Sequence, residues 1–174
     1  MKKRNNKGFT LIELLIVVAI IGIIVAIAIP NLLNAIQRAK QKRTMGDMRT
    51  AGTAAEAYAV DFNHYPAAAA AAYVPPVGLT IPPATTYGAP GCAAPCLNGQ
   101  VVPTYIRLLP LVDGWDSYFL YGTVGTNFQD YVIYSNGKDG KSVAPTLYGE
   151  TTNFNMDIVF IDGQFVQYPA GAQN

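Results

Sequence analysis

Residues 7–30 read Lys7-Gly8-Phe9-Thr10-Leu11-Ile12-Glu13-Leu14-Leu15-Ile16-Val17-Val18-Ala19-Ile20-Ile21-Gly22-Ile23-Ile24-Val25-Ala26-Ile27-Ala28-Ile29-Pro30. From Phe9 to Ile29 the run is almost purely apolar. As a helix it spans roughly 32 Å, against a bilayer hydrocarbon core of ~30 Å. One carboxylate, Glu13, interrupts it. An ionisable group at membrane depth is costly and marks function by default, with a partner to be named. Without a partner it can instead be protonated, since desolvation favours the neutral form.

Residues 1–8 carry Lys2, Lys3, Arg4 and Lys7 and end in Gly8. A secretory signal peptide has a shorter apolar core and a small-residue cleavage site after it. Here the run is longer, and no such site follows it between Pro30 and Arg38. A plain membrane anchor is the simpler alternative.

Gly8-Phe9-Thr10-Leu11-Ile12-Glu13, with the apolar run to Pro30, resembles the N terminus of type IV pilins and of the pseudopilins of type II secretion. The resemblance implies that a prepilin peptidase cuts between Gly8 and Phe9 and that Phe9 is then N-methylated. It also implies that Glu13 pairs with the N-terminal amine of a neighbouring subunit as a filament grows. The pairing is chemically sensible, because two buried charges are tolerable when each neutralises the other.

The chain has 174 residues, which suits one globular unit on a stalk. It carries 12 basic and 11 acidic side chains; removing residues 1–8 leaves eight basic side chains against those 11 acids. No basic stripe interleaved with aromatics marks a nucleic-acid binder, so no nucleic-acid contact is expected. Four basic residues precede the span, and Arg38, Lys40, Lys42 and Arg43 follow it, so charge leaves the orientation nearly tied. The leader resemblance breaks the tie. It implies a single-pass protein of a bacterial inner membrane, N terminus cytoplasmic, whose filament lies in the periplasm or on the cell surface.

After Pro30, apolar residues recur at Leu32, Ile36 and Ala39, then at Met48, Ala51, Ala55, Tyr58 and Phe62. The second set keeps one helical face. The reading is one helix over about residues 9–62, its 9–30 half transmembrane and its 31–62 half amphipathic. Pro30 should kink or locally melt it. Gly22 reads either as a flexible point or as a site of close helix packing in the membrane.

Residues 63–116 hold nine of the 12 prolines. They read as a long irregular connection, used in subunit contacts or outer surface, or as an insertion without a special role. Within it, Cys92 and Cys96 are the only cysteines. Two cysteines and one histidine, His64, make a poor zinc set, and the pair reads as a local disulfide in an oxidising compartment.

Residues 117–174 read as an antiparallel sheet and a C-terminal loop. Ser117–Tyr121, Tyr131–Ser135, Met156–Ile161 and Gln164–Tyr168 are aromatic or β-branched runs, and Asp162-Gly163 is a hairpin signal. The fold class is therefore α+β and pilin-like: a long N-terminal helix packed on a small C-terminal antiparallel sheet.

Asp113-Gly114-Trp115-Asp116-Ser117-Tyr118 and the later Tyr131-x-Ile133-x-Ser135-x-Gly137-x-Asp139-Gly140 resemble the major pseudopilin of type II secretion. In that family a loop here binds calcium. Carried over by position, Asp139 and Asp157 are the carboxylate ligands, with a backbone oxygen from Ser135. Calcium needs roughly six to eight oxygens, which loops supply readily. This chain departs from the pattern: residues 141–154 are longer, and Asn155 stands where an acid is expected. Asn136-Gly137 and Asp139-Gly140 also serve as turns without any metal.

No residue pattern supports catalysis: the acids are scattered, no P-loop is present, and His64 stands at an expected helix end. The role read from the sequence is structural, with no enzyme activity: a subunit of a helical homopolymer, most consistent with the major pseudopilin of a type II secretion system. The resemblance implies as partners the prepilin peptidase, an inner-membrane assembly platform, and minor pilins or pseudopilins. The alternatives are a type IV pilus subunit for adhesion, motility or DNA uptake, and an anchored binding protein that never polymerises.

Overall fold

The computed structural model describes residues 8–68, 85–86, 96–123, 128–141 and 149–171. The chain forms two compact units, Met1–Arg38 and Ala39–Asn174. Helix α1 (Leu11–Phe62, 52 residues) belongs to both. It ends where Asn63 turns left-handed at φ 58° and its N–H bonds the Ala59 carbonyl at 2.8 Å. Asn tolerates that conformation, and the bond satisfies one of the last open carbonyls. The local melting expected at Pro30 is absent: α1 is continuous through it. Proline removes one ladder donor, and the turns on either side carry the helix across.

In the first unit every apolar side chain from Phe9 to Ile36 is exposed, on all faces of α1. Such a helix has no polar side to give to water and belongs in lipid or among other helices. It is the one helix among the described residues long and apolar enough to cross a membrane.

In the second unit α1 buries Gln41, Thr44, Met45, Met48, Ala51, Gly52, Ala54 and Ala55. The small residues let the sheet come close. Of the face expected from spacing, Met48, Ala51 and Ala55 are buried, but Phe62 is 53% exposed. Phe62 sits in the last turn and stacks on Tyr58, with ring centroids 4.4 Å apart.

The sheet has six strands: β1 (Thr85–Thr86), β2 (Leu120–Thr123), β3 (Tyr131–Ser135), β4 (Gly149–Thr151), β5 (Ile158–Ile161) and β6 (Gln164–Pro169). Their spatial order is β1-β2-β3-β5-β6-β4. All neighbours are antiparallel except β4, which runs parallel to β6. The two strands not expected from sequence, β1 and β4, are the two edges. Each is too short for a periodic pattern to show. A five-residue helix, α2 (Leu97–Val101), adds Leu97 and Val101 to the core.

Strand periodicity divides the side chains. Tyr131, Ile133, Ile158, Phe160 and Phe165 join Met45, Met48, Ala51 and Ala55 in the main core. Val132, Tyr134 and Val159 form a smaller cluster with Leu120, Ile161 and Val166. The β5–β6 hairpin turns at Asp162 (φ 45°) and Gly163 (φ 83°), both left-handed, as the expected two-residue turn requires.

Candidate assembly site

Gly8, Phe9 and Thr10 are exposed and lie outside the helix. The helix starts immediately after them because Thr10 and Glu13 cap it. The Thr10 N–H donates to Glu13 Oε2 at 2.8 Å and the Thr10 hydroxyl donates to the same oxygen at 2.7 Å. In return the Glu13 N–H donates to Thr10 Oγ1 at 3.3 Å. This is a capping box, a Thr-x-x-Glu arrangement that satisfies the open amides of a helix start. Within one copy, then, the intramembrane carboxylate is not bare. The sequence reading isolated Glu13 and missed Thr10, although the Thr10-Leu11-Ile12-Glu13 spacing is the signature of such a box.

The second unit is fastened by a buried loop that the sequence reading took only as a family marker. Asp113 is fully buried. Its Oδ1 accepts the N–H groups of Trp115 (2.8 Å) and Ser117 (3.0 Å), and its Oδ2 accepts the hydroxyl of Ser135 (2.6 Å). The loop also meets α1: the Gly114 N–H donates to Thr44 Oγ1 at 2.9 Å, while the Thr44 hydroxyl donates to the Lys40 carbonyl at 2.9 Å. A Cβ on Gly114 would lie 2.6 Å from the Lys40 carbonyl oxygen, so only glycine fits this approach. Asp113 thus ties the loop to β3, and Gly114 ties it to α1.

The calcium candidates fall at one end of the β3–β5 pair. Ser135 is the last residue of β3 and sits opposite Ile158, the first of β5. Asp157 immediately precedes β5 and is 3% exposed. Asp139 lies in the turn after β3, is exposed, and accepts the Lys141 N–H at 3.1 Å. The segments around Asp139 and Asp157 touch, since the Lys138 N–H donates to the Phe154 carbonyl at 3.0 Å. Asn136 Oδ1 is buried there with no hydrogen-bond partner. The Ser135 hydroxyl is engaged by Asp113, which leaves its backbone as the part open to the expected role. Among the described residues, no three His, Cys, Asp or Glu side chains form a metal-binding group.

Cys96 directly precedes α2, whereas Cys92 lies outside the described residues. His64 Nδ1 is 2.8 Å from the Tyr65 carbonyl, and its ring borders those of Tyr58, Phe62 and Phe128. It is half-buried among aromatics.

A family model described as the prokaryotic N-terminal methylation motif matches residues 3–29. Type II secretion system core protein G of Pseudomonas aeruginosa is 31% identical over 141 residues, covering 81% of this chain and 89% of that protein. The protein of the same name from Aeromonas hydrophila is 36% identical over 66 residues, covering 38% of this chain and 46%, less than half, of that protein. The type IV wide pilus major component PilA4 of Thermus thermophilus is 52% identical over 62 residues, 36% of this chain and 47% of that protein. No solved structure matches the chain. This chain belongs to the type IV pilin and pseudopilin family, the family of type II secretion system core protein G.

Proposed function

We propose that the chain is a filament subunit, the major pseudopilin of a type II secretion system, which serves protein export across the outer membrane. One observation carries the choice between the two filament types. The 141-residue match to core protein G is far longer than α1 and must take in the sheet, whereas the 62-residue match to the pilus component is scarcely longer than the 52-residue helix. The helix serves both filament types; the sheet and its loops distinguish them.

In this reading a prepilin peptidase removes residues 1–8, Phe9 is methylated, and the subunit waits in the inner membrane with its apolar rod in lipid. An assembly platform and minor pseudopilins start the polymer. Rods then pack together, each Glu13 opposite the new amine of a neighbour, through a head-to-tail contact that does not close. The Cys92–Cys96 pair is a local disulfide on the exported side. Glu13→Ala should leave cleavage and membrane insertion intact while abolishing filaments in sheared fractions. Normal filaments from that variant would refute the pairing, and a deletion strain that secretes its exoproteins normally would refute the export role.

Calcium belongs to the same reading. The residues present are hard oxygen donors, as calcium requires: the Asp157 carboxylate, the Asp139 carboxylate, the Ser135 backbone oxygen and the buried, unpartnered Asn136 Oδ1. A bound ion would supply positive charge that holds the turn after β3 against the residues leading into β5. Excess chelator should lower the melting temperature of the full chain, and added calcium should restore it. An unchanged melting temperature would count against the ion.

A further inference from the structure

No acidic residue stands between Glu13 and Asp47, whereas Arg38, Lys40, Lys42 and Arg43 fall together in that interval. All four lie in α1. Arg38, Lys42 and Arg43 are exposed and Lys40 is half-buried, while Gln41, Thr44 and Met45 take the inward face. Of the four, only Arg43 has an ion pair among the described residues, its Nε lying 3.5 Å from Asp47 Oδ2. The last large apolar side chain exposed on the rod is Ile36. At ~1.5 Å per residue the four cations follow it along the helix by roughly 3–11 Å. The polar headgroup layer on each side of a bilayer is about 5–8 Å deep. Helical side chains lean toward the N terminus, here toward the span, and Lys and Arg stems reach along apolar surface to set their charge at the interface.

We propose that Arg38, Lys40, Lys42 and Arg43 form a collar that binds the phosphates of anionic phospholipids in the leaflet facing the exported side. This rests on the membrane span of the filament reading above and adds a lipid partner to it. Positive charge on the exported flank works against an N-terminus-inside orientation, because cytoplasmic flanks are the ones enriched in Lys and Arg. Lipid phosphate is the counter-charge that offsets this. Arginine offers phosphate a two-pronged donor and lysine a point charge. Attraction of a basic segment to an anionic surface grows with each cation and fades within a Debye length, ~10 Å at 0.1 M salt. The collar therefore holds the unassembled subunit at one depth, and entry into a filament releases those phosphates. Arg49 is the built-in control: its guanidinium lies 5.0 Å over the Phe165 ring. It follows Ile36 along the helix by roughly 20 Å, which is past the headgroup layer.

The test reconstitutes the full chain in phosphatidylcholine vesicles and compares wild type, the fourfold variant Arg38→Gln/Lys40→Gln/Lys42→Gln/Arg43→Gln, and Arg49→Gln. Glutamine keeps most of each stem and removes the charge. The leader's own cations are common to all three chains, so they drop out of the comparison. Trace spin-labelled phosphatidylglycerol or spin-labelled phosphatidylcholine is added, and electron paramagnetic resonance reads the fraction of each held at the protein. The ratio of the two association constants is the lipid selectivity. Flotation confirms insertion, near-ultraviolet circular dichroism confirms the fold, and sheared filaments are counted from cells making each variant.

At low salt the fourfold variant should lose at least about twofold of the wild-type selectivity for phosphatidylglycerol, and 1 M salt should bring the two chains together. Arg49→Gln should match wild type. Equal selectivity in wild type and the fourfold variant would overturn the assignment. So would an Arg49→Gln loss as large as that of the fourfold variant, since net charge rather than place along the helix would then matter. Unchanged selectivity with loss of sheared filaments would also overturn it, and would give the cations to contacts between copies. A chain that fails to float with the vesicles would sink the membrane span as well; one that floats without selectivity sinks the collar alone.

Discussion

At Gly52 the side chains of the sheet press directly on α1, and the cost of adding a Cβ there can be worked from the structure. A Cβ on residue 52 would lie 2.5 Å from Phe160 Cε1 and 2.8 Å from the Tyr131 hydroxyl oxygen. Ordinary carbon contacts are ~3.5–4.0 Å. Neither ring has an easy retreat: Tyr131 is fully buried and Phe160 is 3% exposed. Overpacking of this kind costs about 1–3 kcal/mol. The Tyr131 hydroxyl also donates to Glu56 Oε1 at 2.9 Å. Pushing it aside weakens a hydrogen bond to a charged group, worth ~1.5–3 kcal/mol when lost completely. Against this, replacing a helical glycine by alanine gains ~0.8–1 kcal/mol. Gly52→Ala should therefore destabilise the second unit by roughly 2–3 kcal/mol.

Gly46 provides the internal control. It lies in the same helix and is exposed, and a Cβ added to it would meet nothing within 4 Å. Gly46→Ala should show only the helix gain, stabilising by up to ~1 kcal/mol. Two identical substitutions six residues apart should thus move stability in opposite directions. Thermal unfolding of the full chain in detergent, followed by near-ultraviolet circular dichroism, measures both. At about 3–5 °C per kcal/mol for a unit of this size, Gly52→Ala should lower the melting temperature by about 10 °C. Phe160→Leu in the Gly52→Ala background should recover part of that loss. If Gly52→Ala melts at or above the wild-type temperature, the close approach of α1 to the sheet is wrong.

Asp113→Ala should cost about 3 kcal/mol or more, because it strands two backbone donors and the Ser135 hydroxyl in the core; Asp113→Asn keeps an acceptor and should cost about 1 kcal/mol, both read by urea unfolding. Asp162 has its carboxyl pKa raised, first by burial and then by the charges of Asp130 and Glu56, although the Tyr131 N–H opposes the shift. A raised pKa means that the fold favours the protonated form, so its stabilising contribution is present below the ordinary carboxyl range and is lost as pH rises through the folded value. Asp162→Asn should therefore melt higher than wild type at pH 7, and the difference should vanish near pH 3. A lower melting temperature at pH 7 would refute this. Gln167 is 1% exposed, and neither polar atom of its amide has a hydrogen-bond partner. Gln167→Met, of similar volume, should stabilise by about 1 kcal/mol, because a buried amide without a bond is costlier than a thioether; a destabilised variant would show that the amide has a role.

The helix was legible because its signals are local. A rod apolar on every face, and then Met48, Ala51 and Ala55 on one face, are patterns within the chain, and both match the structure. The central strands were legible for the same reason, as was the turn at Asp162-Gly163. What escaped depends on distant partners. β4 is three residues long and exists because β6 lies beside it. Asp113 looked like a loop acid, yet among the described residues it is the least exposed of the carboxylates because Trp115, Ser117 and Ser135 converge on it. Nothing in its neighbouring sequence announces a bond to a serine in β3.

Glu13 raises the complementary problem. Its importance was plain from sequence, because a carboxylate in an apolar run demands a partner. The partner inside one copy, Thr10, is three residues away, and the same oxygen takes both of its donors. A single copy therefore satisfies half of the carboxylate and leaves the rod apolar on every side. In the filament reading proposed above, those two deficits are met by the same event. In that reading, rods packed side by side cover each other's apolar surface, and the carboxylate meets the amine of a neighbour.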